Sequence, residues 1–135
     1  MVCESSERVS DEERERRLIQ TNSIAVMYPF ATSCQEPLPD EEDLIEVALG
    51  SVRALRSQHE SQFSTGKICD LLFSNWGTSI DWSYARAGIK WSFAIELRDA
   101  GTHGFLLPPS QIRPSGEELT SLVGYMAGFI AKKEK

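Results

Sequence analysis

The run "IKWSFAIELRD", Ile89 to Asp99, ends a strongly apolar stretch on three ionisable side chains, Glu96, Arg98 and Asp99. A carboxylate held at the end of a buried strand can take up and release a proton beside a reacting group. The plain alternative is a polar residue on the less apolar face of a strand, paired to a nearby cation. Position favours a site, because ligands of open α/β sheets gather outside the carboxyl ends of the strands. A glycine-containing turn, "AGTHG", follows Glu96 closely.

The other reactive side chains are few. Histidine occurs only at His59 and His103, and the residues three further on are Gln62 and Leu106, so no His-x-x-Glu pair exists. Cysteine occurs at Cys3, Cys34 and Cys69, an odd number without Cys-x-x-Cys spacing. That pattern implies neither a disulfide framework nor a zinc ribbon, and single free or buried thiols are the expectation. Metal binding by this chain alone is not expected.

The elements that must position Glu96 can be read from periodicity. Ile89, Trp91, Phe93, Ile95 and Leu97 alternate with Lys90, Ser92, Ala94 and Glu96, which predicts a strand over Ile89 to Leu97. "SIAVMYPF", Ser23 to Phe30, predicts a second, buried strand. Asp40 is the candidate N-cap of a helix whose first turn is Glu41, Glu42 and Asp43, where the helix dipole favours negative charge. Leu44, Val47, Ala48, Val52 and Leu55 form its apolar stripe and predict packing on a sheet. A shorter helix is expected over roughly Gly66 to Asn75, then a loop carrying Ile80, Asp81 and Trp82. "FLLPPSQIRP" reads as extended. "SGEE" offers a capping box from Ser115 to Glu118 for a last helix with the stripe Leu119, Leu122, Val123, Met126 and Ile130.

The whole chain has 135 residues, 41% of them hydrophobic, enough for one compact domain with a core. A formal charge of −6 without a Lys/Arg cluster argues against a nucleic-acid surface, since phosphate binding needs concentrated positive charge. No apolar run approaches the roughly 20 residues that cross a bilayer, so no membrane partner is expected. The first residues, "MVCESSERVSDEERERRL", lack the apolar core of a secretory signal. Residues 1–17 read as a charged lead, helical or disordered, and 18–135 as the folded part.

The segment "TSIDWSYARAGIKWSFAIELRDAGTHGFLLPPSQIRPS" resembles the C-terminal signature of zinc metallocarboxypeptidases of the carboxypeptidase A/B family, where a "SIDW…GIKYSF…ELRD.G.YGFLLP.SQI" pattern occurs. The likeness extends back through "VMYPF", similar to the family's "LLYPY", and forward through the last helix. It implies an α/β, partial carboxypeptidase-like fold: a few sheet strands flanked by helices, with the amino-terminal half of the family domain missing. It implies hydrolytic release of C-terminal amino acids, peptide or protein C-termini as partners, zinc as the family cofactor and an extracellular setting. For Glu96 it implies the general base and acid. Ile80 falls where the family chooses its C-terminal side chain, and an apolar residue there resembles the carboxypeptidase A type. Ile68, Leu72, Asn75, Gly77 and Ala94 fall on the same pocket wall, and Phe105 on the outer substrate cleft.

The departures are as specific as the agreements. The family's mobile tyrosine falls on Phe73, which keeps the ring and loses the hydroxyl donor. Gln20 falls on a family zinc-ligand histidine, and an amide is a poor zinc ligand. The His-x-x-Glu ligands and the substrate-clamping arginines have no counterpart. The resemblance therefore implies a truncated metallocarboxypeptidase-like chain, inactive alone. The alternative is a non-catalytic module that retains the specificity pocket and binds peptides or a partner. An uncovered sheet edge would favour self-association.

Overall fold

The computed structural model describes residues 24–56, 63–72, 78–98, 103 and 106–135. Expectations for residues 1–17, and for Gln20, Phe73, Asn75, Gly77 and Phe105, lie outside the described residues.

Strand β1, Ile24–Tyr28, is the middle of a three-stranded sheet with the order β2-β1-β3. Helix α1, Glu41–Arg56, carries the chain back to β2, Phe63–Lys67, which pairs parallel to β1 with Ile24 opposite Phe63 and Tyr28 opposite Lys67. A parallel pair needs such a crossover, and a helix supplies it. Leu44, Val47, Ala48, Val52 and Leu55 are all buried, so the predicted stripe is the one that packs. Acidic Glu41 at the first turn of α1 pairs with Lys67 at the end of β2, at 3.1 Å.

The expected helix over Gly66 to Asn75 is corrected. Phe63–Lys67 is a strand, and α2 is a short helix, Ile68–Leu71. Among the five residues "FSTGK" only Phe63 is apolar, so the stretch carries no hydrophobic alternation and pairing with β1 decides its state. The expected loop at Ile80 to Trp82 is helix α3, Ser79–Ala85, capped by Thr78, whose side chain accepts from the Asp81 backbone N–H at 3.2 Å. It ends before Gly88, whose φ of +67° is a conformation that glycine adopts at little cost.

Strand β3 is shorter than predicted. It spans Ala94–Glu96 and runs antiparallel to β1, with Ala25 opposite Glu96 and Met27 opposite Ala94. Ile89 is 51% exposed, so the apolar alternation before Phe93 does not continue the strand. The extended segment is also corrected: helix α4 runs Pro109–Lys133, with Pro108 as its N-cap and Pro114 inside it. Pro109 sits at the helix start, where a missing N–H costs nothing. Ser115 is therefore buried inside the helix, and Glu118, fully buried, is no capping-box residue but the partner of Arg98. Both Arg98 Nε and Nη2 donate to Glu118, and Nη1 donates to Gln111 Oε1 at 2.8 Å.

The core lies on one face of the sheet. Val26 and Tyr28 of β1 meet the α1 stripe and Leu122 and Met126 of α4, with Phe93, Ile95 and Phe129 packed against them. Helices α1 and α4 approach closely enough that a Cβ on Gly50 would overlap the Tyr125 ring. Their polar edges are joined by Lys133, which reaches Asp43 at 2.7 Å and Glu46 at 3.2 Å, and Lys90 reaches Asp43 at 2.6 Å. These two lysines hold the Asp43 carboxyl below its ordinary range.

Candidate functional site

The opposite face of the sheet gathers a second apolar cluster. Ala25 and Met27 of β1, Ala31 just after it and Ile68 at the start of α2 are buried together. Leu71, Leu72, Ile80 and Ala94 pack against them. Four residues singled out in the sequence, Ile68, Leu72, Ile80 and Ala94, thus pack into one cluster although they come from three elements and a turn. Strand alternation puts them there: Val26 and Tyr28 face the core, and their neighbours Ala25 and Met27 must face the other way.

Glu96 is on this same face. In an antiparallel pair, directly opposed residues project to one side of the sheet, and Glu96 stands opposite Ala25. It is two residues from Ala94, a separation of about 7 Å along a strand. Glu96, half-buried, therefore lies on the sheet face that bears the apolar cluster. The argument from strand ends does not survive, however. Because β3 runs antiparallel, its carboxyl end lies level with the amino-terminal part of β1. It is the shared face, not the carboxyl edge of a parallel sheet, that Glu96 has in common with the apolar cluster.

Three connections hold the turn after β1 against α2 and α3. Cys69 N–H donates to the Phe30 carbonyl at 3.1 Å. Cys34 and Cys69 form a disulfide with a Cα separation of 5.6 Å, which overturns the expectation of free thiols. The residues are 35 apart in sequence, and the β1-α1-β2 crossover that brings them together is invisible to spacing rules. Asp81, buried at 8% exposure, accepts from Ala31 N–H through both oxygens, at 2.9 and 3.1 Å, and from Thr32 N–H at 3.1 Å. One turn on, Tyr84 O–H donates to Asp40 at 2.7 Å and its ring meets Phe30 edge-on at 5.5 Å. Burial, with the Asp40 hydrogen bond, pushes the Tyr84 hydroxyl up to about 12.

Sequence reasoning named Ile80 but not Ala25, Met27, Ala31 or Leu71, which complete the cluster. The alternation within "IAVMY" could have supplied the first two. Ala31 and Leu71 carried no signal, because they reach the site only through the fold.

The zinc carboxypeptidase family profile matches residues 19–121. The chain belongs to that family. Mouse carboxypeptidase A1 is 46% identical over 100 residues, covering 74% of this chain and 23% of the relative. A protein of the fungus Sclerotinia sclerotiorum named inactive metallocarboxypeptidase ecm14 is 32% identical over 126 residues, covering 83% of this chain and 21% of the relative. The chain thus spans less than a quarter of the length of these curated relatives. Among solved structures, bovine thrombin-activatable fibrinolysis inhibitor in complex with tick carboxypeptidase inhibitor superposes with a TM-score of 0.77 at 37% identity. That match covers 82% of this chain and 37% of the other. The mixed α/β arrangement of a small sheet and helices is therefore part of the carboxypeptidase fold.

Zinc is the family's cofactor, and the donor set here can be tested against it. Among the described residues, one group of three metal-ligating side chains has its ligand atoms within 4.8 Å of one another: Cys34, Cys69 and Asp70. Two of the three are consumed by the disulfide and offer no thiolate, so this group does not fit zinc.

Proposed function

We propose that this chain carries the apolar side-chain pocket and the acid–base carboxylate of a carboxypeptidase A-like site. The reaction it would serve is hydrolytic release of C-terminal amino acids with apolar side chains from peptides and proteins. The observation that carries the reading is the gathering of Ile68, Leu72, Ile80 and Ala94 into one cluster on the sheet face that also bears Glu96. An apolar wall accepts an apolar side chain, and a bordering carboxylate can hold a proton at its oxygens and pass it on. Zinc, when supplied in the family, activates water and polarises the scissile carbonyl. Among the described residues the one candidate donor group, Cys34, Cys69 and Asp70, does not fit it.

Ile80 would set the preference, as an apolar residue facing the bound side chain, and Phe73, Asn75, Gly77 and Phe105 would line the rest of the cleft. An oxidising, extracellular setting agrees with the Cys34–Cys69 disulfide. A second reading, a non-catalytic peptide- or partner-binding module, is favoured by the 32% identity to a relative named inactive and by the phenylalanine in place of the family's tyrosine.

Binding of N-acetyl-phenylalanine and N-acetyl-lysine tests the pocket. Saturable preference for the phenylalanine acid, lost or reversed in Ile80→Asp, is expected; equal retention of both acids by the parent chain would sink the reading. Hydrolysis separates the two versions: the purified chain should not release Phe from a Phe-terminated peptide, and chelator-sensitive release would show it complete as a catalyst.

A further inference from the structure

We propose that Asp81 is the positioning residue of this pocket, fixing the depth at which Ile80 meets a bound side chain by tying α3 to the turn at Ala31 and Thr32. The inference rests on the pocket reading above and is tested so that the two can fail separately.

Asp81 directly follows Ile80 and is buried, yet its carboxylate does not face the solvent side of α3. It accepts main-chain N–H groups 50 and 49 residues earlier in sequence, at 2.9 to 3.1 Å. One of those donors belongs to Ala31, whose side chain is fully buried in the wall that Ile80 packs against. A single carboxylate therefore ties the residue after Ile80 in α3 to the main chain at Ala31 and Thr32, where Ala31 packs in the same cluster as Ile80. A charge-assisted pair of this kind is short and directional, so it transmits position.

The rest of α3 is held independently. Tyr84 packs edge-on against Phe30 of the core cluster and donates to Asp40. The helix should stay docked when Asp81 is changed, while its first turn, which carries Ile80, is freed to shift. Asparagine keeps one acceptor oxygen for Ala31 and presents an amide donor toward the Thr32 N–H. Alanine keeps neither acceptor. The chemistry thus orders the variants Asp, Asn, Ala.

The experiment compares the full chain with Asp81→Asn and Asp81→Ala, reading the affinity ratio for N-acetyl-phenylalanine over N-acetyl-alanine. The Ile80 methyl and the Ala31 and Thr32 amide resonances are followed alongside. Apolar pockets discriminate by roughly 10 to 200-fold, and the ratio should fall about tenfold in Asp81→Ala, with Asp81→Asn between. The Ile80 methyl should shift in the same order while far-UV circular dichroism is retained. An unchanged ratio with both amides deprotected would overturn the proposal, leaving Asp81 a merely stabilising group. If the parent chain shows no preference, the pocket reading fails, and the methyl resonance alone judges Asp81: an unmoved Ile80 in Asp81→Ala refutes the positioning role. Should Asp81→Ala not fold, Asp81→Asn carries the same comparison.

Discussion

The two faces of the sheet are built from alternate residues of the same strands and differ in what covers them. The core face presents Val26, Tyr28, Phe93 and Ile95 to two long helices with leucine-rich stripes. The other face presents Ala25, Met27 and Ala94 to short α2, the start of α3 and a turn. The core face is covered by packed area; the short elements on the other face are tied down by a disulfide and a buried carboxylate as well. One face is stabilised by burial; the other is shaped by crosslinks.

That contrast can be broken by substitution. Leu44→Ala on the core face should cost about 4 kcal/mol, because a fully buried leucine leaves a cavity that rigid helices cannot close. Ile80→Ala, at a half-buried position on the other face, should cost about 1 kcal/mol. Urea midpoints at unchanged slope would check both, and equal losses would erase the distinction.

Reduction of the Cys34–Cys69 disulfide removes a crosslink of the second face. Opening a loop of 35 residues should lower stability by about 3 kcal/mol, through the entropy regained by the unfolded chain. Hydrogen exchange should quicken at Ala31 and Cys69 more than along α1. Uniform quickening would mean that the crosslink serves the whole domain.

The pH dependence of the connecting groups is smaller and has a defined sign. Tyr84, with its hydroxyl raised from 10.0 to about 12 in the folded chain, contributes stability that is complete below pH 10 and lost as pH rises toward 12. Alkaline unfolding should shift in Tyr84→Phe, and absorbance near 295 nm should show this tyrosine ionising late. Asp43, lowered by hydrogen bonds from Lys133 and Lys90, contributes above its ordinary 3.8 and loses that contribution as pH falls through its depressed value. Lys133→Ala should shift the acid midpoint only slightly, because exposed pairs are screened by water and salt. Added salt should shrink the difference further; a persistent large shift would place this pair among the core determinants.

Legibility in the sequence followed local periodicity and not the face of the sheet. The α1 stripe was read correctly because helical periodicity and burial coincide in Leu44, Val47, Ala48, Val52 and Leu55. The strand "FSTGK" gives no such signal, since it pairs with β1 without alternating. The capping box read at Ser115 puts the start of α4 seven residues late, because Pro108 is the N-cap and Pro109 opens the helix. Val123, counted in the stripe, is 48% exposed, since the axis of α4 follows Leu122 and Met126 onto α1.

By itself the sequence determined the family, the apolar identity of Ile80, the carboxylate at Glu96 and the helix that covers the core, because each is carried by local residue types and short-range periodicity. Tertiary structure alone decided that Cys34 meets Cys69, that Asp81 reaches back to Ala31, and that Glu96 shares a face with Ala25 and Met27. Those facts depend on the crossover between β1 and β2 and on the antiparallel direction of β3, which bring together residues dozens of positions apart. No window of neighbouring residues encodes a strand's direction relative to its partner, and that direction is what assembles the site.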